Sequence, residues 1–132
     1  MIGIDTNVLI RFFVRDSPDQ LIAARRLLNS LTPQQPCWIG IANLLEIEWV
    51  LRSVYSHSRT GIAGIFDNLL AMDNVVIERH EAVALALTRF RGGKAGFADC
   101  LIAASAQTAG CARVMTFDEI AARDAGMELL KA

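Results

Sequence analysis

Five short apolar runs set the frame of this chain: residues 2–5, "CWIGI", "NVVIE", "RVMTF" and "MELL". Between them lie stretches whose apolar residues recur at helical spacing. Strands that alternate with helices are joined by crossovers, and crossovers join parallel strands. The expectation is therefore an α/β fold: a mostly parallel central sheet of four or five strands, flanked by helices on both faces. Helices are expected from Asn7 to Val14, from Pro18 to Ser30, along "ANLLEIEWVLRSVY", over 60–72, and along "HEAVALALTRF", "FADCLIAASAQTAG" and "DEIAARDA". Pro18 suits a first-turn position, and Gly110 a position just past a helix end. "LTPQQPC" and "RGGKAG" read as loops.

A chain of 132 residues, 53% hydrophobic and 20% charged, has material for one core and one domain spanning residues 1–132. No apolar stretch approaches the roughly 18–20 residues of a membrane helix, and no basic leader precedes Asp5, so a cytoplasmic location with no membrane partner is expected. Cys37, Cys100 and Cys111 are odd in number and widely spaced, which points to buried free thiols rather than disulfides or a zinc knuckle. A formal net charge of −1 excludes a polycation built to coat nucleic acid. It leaves open a nucleic-acid substrate reached through a bound cation.

Acidic residues carry the chemistry. Asp5 ends the first strand, and ligands of parallel sheets gather at strand carboxyl ends. Its local alternative is a helix cap for the helix that follows. Glu46 lies in an apolar helix that reads as largely buried, where a lone acid needs a partner such as Arg11 or Arg15. Glu46 and Trp49 share a face, whereas Glu48 points about 200° away and reads as a solvated or arginine-paired surface residue. Asp99 begins one helix, and Asp118 caps another just past "RVMTF", with Glu119 beside it as a first-turn residue. Gathered together, Asp5, Glu46, Asp99 and Asp118 would repel one another without cations. Oxygen-only donors select hard ions, Mg²⁺ or Mn²⁺, which activate water against a phosphodiester.

"IDTNVLIRFFVRD", "LLEIEWVLRSVY", "GFADCLIAASAQTAGC" and "VMTFDEIAARDAGMELL" resemble the PIN-domain family, in particular VapC-type toxins of toxin–antitoxin pairs. The resemblance implies a single PIN-like domain and a ribonuclease dependent on Mg²⁺ or Mn²⁺. Asp5, Glu46, Asp99 and Asp118 match the motif acids that would serve as metal ligands and catalytic residues. Thr6, Asn7 and Thr116 match the polar residues that orient them. Gly96 stands where many relatives carry a further aspartate, which bears on a second ion.

Arg11 and Arg15, one turn apart after Asp5, and Arg89, Arg91 and Lys94, before Asp99, are candidate contacts for RNA or a partner. A cognate antitoxin would bring a basic segment to the acids, and a homodimer is expected. Trp49, Tyr55 and Phe66 are candidates for the covered apolar surface. His57 and His80 read as ordinary loop and helix-start residues. An aspartyl phosphatase lacks its second acid in "DTN", a P-loop fails at Ala95, and no nucleophile elbow is present. The remaining alternatives are a housekeeping RNA-processing nuclease and a non-catalytic binding module of the same fold.

Overall fold

Each expected strand forms, but shorter than its apolar run. A computed structural model describes all residues 1–132. β1 (Ile2–Gly3), β2 (Cys37–Ile39) and β3 (Val75–Ile77) make a parallel sheet in the order β1-β2-β3, with Gly3 opposite Trp38 and Trp38 opposite Val76. β4 (Met115–Thr116) and β5 (Glu128–Leu129) make a second parallel pair. Every strand pairing is thus parallel, as expected, but the expected single sheet of four or five strands is instead one of three and one of two. The helices are α1 (Thr6–Phe13), α2 (Pro18–Asn29), α3 (Ile41–Ser53), α4 (Arg59–Ala71), α5 (His80–Gly92), α6 (Phe97–Thr108) and α7 (Glu119–Asp124). None is long and apolar enough to cross a membrane.

The chain forms two compact units: Met1–Ser58 with Asp67–Glu78, and Arg59–Phe66 with Arg79–Ala132. In the first, α1 packs against both α2 and α3. Cys37 and Ile39 of the central strand are fully buried, while Trp38 between them is half-exposed, the period-two alternation of a strand packed on one face. Leu9, Leu44, Ile47 and Leu51 complete this core. Glu78 Oε1 accepts the Ile41 N–H at 2.8 Å, satisfying one of the orphan donors at the start of α3.

In the second unit α5 and α6 pack together around Phe66, Phe90 and Phe97, whose ring centroids lie 4.7 Å (Phe66–Phe97) and 5.8 Å (Phe90–Phe97) apart. Arg59 stacks over Phe90 at 4.0 Å from the ring centroid and donates to the carbonyls of Phe90 and Ala95, tying down the glycine-rich loop before α6. Gly110 follows the end of α6 with φ +102°, the left-handed geometry expected of it. Gly126 has φ +80°, a left-handed conformation that favours glycine, and the Arg89 guanidinium packs close against it.

Cys37 and Cys100 are buried free thiols, as expected, but Cys111 is exposed, because it follows the last turn of α6 instead of packing beneath it. Burial pushes the Cys37 and Cys100 thiols up, which keeps both protonated and inert as nucleophiles.

Candidate metal and RNA site

Asp5 stands two residues past β1 with extended backbone, and its Oδ1 accepts the Thr6 N–H at 2.7 Å. It is therefore the cap of α1, and its second oxygen remains free. Thr6 is buried, and its hydroxyl accepts a hydrogen bond from Asn43 Nδ2 at 3.2 Å. Asn43 also donates to the Ile4 carbonyl at 3.3 Å and accepts the Gly40 N–H at 3.0 Å. One amide thus clips the start of α3 to the segment that carries Asp5. Glu46 lies three residues further along α3, on the same face as Asn43. The clip therefore registers the two carboxylates against each other.

Asp5 and Glu46 line one cavity of about 320 Å³, together with Thr6, Asn7, Arg11 and Tyr55 and the aliphatic Ile10, Val50 and Val54. Neither acid takes part in an ion pair. The basic side chain nearest in sequence to Asp5 is committed elsewhere. Arg11 Nη1 donates to the Tyr55 hydroxyl at 3.0 Å and reaches Asp16 Oδ1 at 3.3 Å, and its Nε donates to Gln20. The Tyr55 hydroxyl in turn donates to Asp16 Oδ2 at 2.9 Å. The Tyr55 hydrogen bond, with Asp16 adding to it, makes Arg11 even harder to deprotonate than an ordinary arginine.

Several expectations are corrected here. Glu46 makes no pair with Arg11 or Arg15, and α3 is not buried all round: Leu44, Ile47, Glu48 and Leu51 face the core, while Glu46, Leu45 and Trp49 are exposed. Glu48 is arginine-paired, as one of its expected readings had it, with Arg52 at 2.8 Å, but it is buried and not at the surface. Arg15 does not sit on α1, which ends at Phe13 with Val14 as its cap. Asn7 makes no hydrogen bond to Asp5, whose partner is the Thr6 N–H. Phe66 is 1% exposed and belongs to the core of its unit, whereas Trp49 is 55% exposed. Tyr55 is half-buried within the Arg11 network and stacks on His57 at 6.4 Å.

Asp99 and Asp118 belong to the second unit. Asp99 is in the first turn of α6, half-buried and without an ion pair. Asp118 caps α7, its Oδ1 accepting the Ala121 N–H at 2.9 Å, and the Asp118 N–H donates to Thr116 Oγ1 at 3.0 Å. Thr116 thus orients the acid through its backbone. Arg89 is engaged within the fold, donating to the Ala125 carbonyl at 3.2 Å and to Gln107 Oε1 at 2.7 Å. The side chains of Arg15 and Lys94 are exposed. No group of three or more His, Cys, Asp or Glu side chains is placed to hold a metal ion. Of the four expected acids, Asp5 and Glu46 line one cavity of the first unit as a pair, and Asp99 and Asp118 stand at the starts of α6 and α7 in the second.

The pair fits a hard divalent cation. It offers oxygen donors only, three of the four carboxylate oxygens are free of hydrogen bonds, and the cavity has room for water. Mg²⁺ commonly uses one or two carboxylates and keeps several of its waters. Asn43, the residue that registers the pair, was missed from the sequence, where an asparagine early in a helix reads as a local cap. The one available signal was its spacing, three before Glu46.

Comparison with curated proteins finds no match. Comparison with family models finds the PIN domain over residues 2–126, nearly the whole chain. Members of that family are in general metal-dependent nucleases acting on RNA. The parallel α/β architecture and the strand-end acid agree with this match, and the chain belongs to the PIN-domain family.

Proposed function

We propose that this chain is an endoribonuclease dependent on Mg²⁺ or Mn²⁺, acting as the toxin of a type II toxin–antitoxin pair. The observation that carries the catalytic part is the meeting of Asp5 and Glu46 on one cavity, with no basic side chain neutralising either. Two acids that line one cavity with no counter-charge leave their oxygens available to an external hard cation. Bound there, such an ion supplies Lewis acidity, activating water and offsetting charge on the phosphate. Asp5 and Glu46 would hold it, and the Thr6 N–H fixes the oxygen of Asp5 that faces the helix. Arg11, on the rim of the same cavity, meets the phosphate oxygens. Asp99 and Asp118 are assigned to the same activity by their match to the third and fourth motif acids, and Thr116 supports Asp118 through its N–H.

The toxin assignment rests on the resemblance to VapC-type chains over the four blocks named above. It implies an antitoxin with a basic segment for the acids. A homodimer would cover exposed apolar side chains such as Leu45 and Trp49.

The test is cleavage of end-labelled single-stranded RNA by the purified protein in Mg²⁺ or Mn²⁺. Asp5→Asn and Glu46→Gln should each lower the rate by on the order of 10²-fold or more and weaken Mn²⁺ binding measured calorimetrically, with the melting temperature held or raised. Cleavage that survives both substitutions sinks the site. Expression without a partner should arrest growth. Harmless expression of a protein that still cleaves RNA favours the housekeeping reading instead.

A further inference from the structure

Beside the acid cavity lies a second one that the proposed reaction does not use. It has a volume of about 400 Å³, within the roughly 300–1,000 Å³ of pockets that bury small ligands, and it sits against α1 and α2. Its walls are aliphatic, from Val8, Ala23, Ala24 and Leu27, and its polar groups are Asn7, Arg11 and Gln20. Asn7 and Arg11 line both cavities. They are four residues apart on α1, so they stack on one face of that helix, and that face separates the two spaces.

Arg11 is held on three sides. Its Nη1 is fixed by Tyr55 and Asp16 and its Nε by Gln20, while Nη2 donates to nothing in the fold. A guanidinium braced in this way and open along one edge is a preorganised receptor for a phosphate oxygen. Gln20 uses its carbonyl oxygen on Arg11, which leaves its NH₂ group for another acceptor, and the Asn7 amide has no partner in the fold. Aliphatic walls, amides with free donors and acceptors, and a guanidinium in the lining, paired with Asp16 through Nη1 but free at Nη2, match one chemistry: a flat heterocycle with polar edges attached to a phosphate.

We propose that the cavity between α1 and α2 is a nucleobase subsite. It takes the unpaired base of an RNA nucleotide adjoining the cleavage site, with Arg11 on the phosphate between them and Gln20 and Asn7 at the base edge. This rests on the ribonuclease reading and adds to it a source of sequence preference. Single-stranded bases can leave the stack and enter such pockets, whereas duplex bases cannot.

The test uses the full chain carrying Asp5→Asn, so that RNA binds without being cut, and Ala23→Trp to fill the cavity. Ala23 is exposed, so the larger side chain need not disturb the core, and Ala23→Leu with a melting curve controls for folding. Binding is measured to a short single-stranded RNA and to the same RNA with individual nucleotides made abasic. Ala23→Trp should weaken the intact RNA about tenfold and the RNA abasic at one particular nucleotide hardly at all. Arg11→Ala should weaken both and reduce the salt dependence of binding by about one phosphate contact. With Asp5 restored, Ala23→Trp should shift the preferred cut positions.

The subsite is overturned if Ala23→Trp binds intact RNA as the parent does, or loses intact and every abasic RNA equally. It is also overturned if Ala23→Trp abolishes binding of a protein partner and leaves RNA untouched. RNA cleavage that continues, depends on Asp5 and ignores Ala23→Trp removes the subsite and spares the nuclease. An RNA that neither binds nor is cut removes both.

Discussion

Glu46 and Glu48 stand two residues apart on α3, and the fold treats them in opposite ways. Glu48 is buried and held by Arg52 at 2.8 Å, so its charge is balanced. Glu46 opens onto the cavity of Asp5 and has no counter-charge in the protein. The second unit repeats the first pattern: Arg113 grips both carboxylate oxygens of Glu128, and Arg123 both of Asp124. Glu48, Glu128 and Asp124 are thus each neutralised by an arginine, whereas Glu78 and Asp118 serve the fold by accepting backbone N–H groups at helix starts. The acid that meets Asp5 is left open, which is the arrangement a site for an external cation requires. Neutralising the two kinds of acid should have opposite consequences. Glu46→Gln should remove activity and spare stability, as set out above.

Glu48→Ala should do the reverse. It leaves part of Arg52 without its partner and opens space in the core, so stability should fall by about 1–3 kcal/mol. Arg52 is half-exposed and can turn to water, which keeps the loss below that of a fully buried pair. Thermal melts should show the drop, and RNA cleavage at a temperature where the protein stays folded should remain within a few-fold of the parent. If Glu48→Ala abolishes cleavage in fully folded protein, the division of labour between the two glutamates is wrong.

The sequence shows this division once the right spacing is used. Leu44, Ile47, Glu48 and Leu51 occupy positions i, i+3, i+4 and i+7, the stripe of a helix packed on one side. Leu45 and Trp49, apolar but exposed, blurred that stripe and made the helix look buried all round. Element type and order were legible throughout, because strand-length apolar runs and helical periodicity alternate without ambiguity. Asp5 was legible too, as a carboxylate at a strand end. What was not legible depends on backbone acceptors and on atoms distant in sequence. Arg89 reads as a free cation, but its partners are a carbonyl at Ala125 and a side chain at Gln107. The Asn43 clip likewise exists only once Ile4 and Thr6 have been folded against α3. Motif order names the four acids, and within the first unit folding brings Asp5 and Glu46 onto one cavity.

Asp124 sharpens the same contrast through pH. The Arg123 guanidinium, helped by the Lys94 backbone N–H, holds its carboxyl down at about 2, against an ordinary value of 3.8. The folded pKa lies below the unfolded one, so the unfolded chain binds more protons in this window. The stabilisation is therefore complete above about pH 4 and is lost as pH falls towards 2. Arg123 lies at the surface while Asp124 is largely covered, and the solvent around the guanidinium keeps the effect modest and makes it shrink in salt. Asp124→Asn should flatten the acid limb of the stability curve between pH 4 and 2. A limb of unchanged slope would assign the acid sensitivity to other carboxylates.

The smallest expected effect on stability comes from Gly96, the position where the resemblance leads one to expect an aspartate. Gly96 caps α6 with ordinary extended backbone (φ −64°, ψ 153°), and a Cβ there would meet no atom within 4 Å. Gly96→Asp should therefore fold normally. As an N-cap it should gain only a few tenths of a kcal/mol over glycine, with a little more from the helix dipole. Its informative readout is the metal. A new carboxylate on the same first turn as Asp99 adds an oxygen donor beside an acid that has no counter-charge. If Asp99 serves the ion-dependent reaction, Gly96→Asp should lower the Mn²⁺ concentration needed for half-maximal cleavage. That shift should vanish when Asp99→Asn is added. If the metal dependence stays fixed while the melting temperature rises as a cap predicts, Asp99 acts on the helix alone. The unneutralised acids that matter would then be those of the first unit.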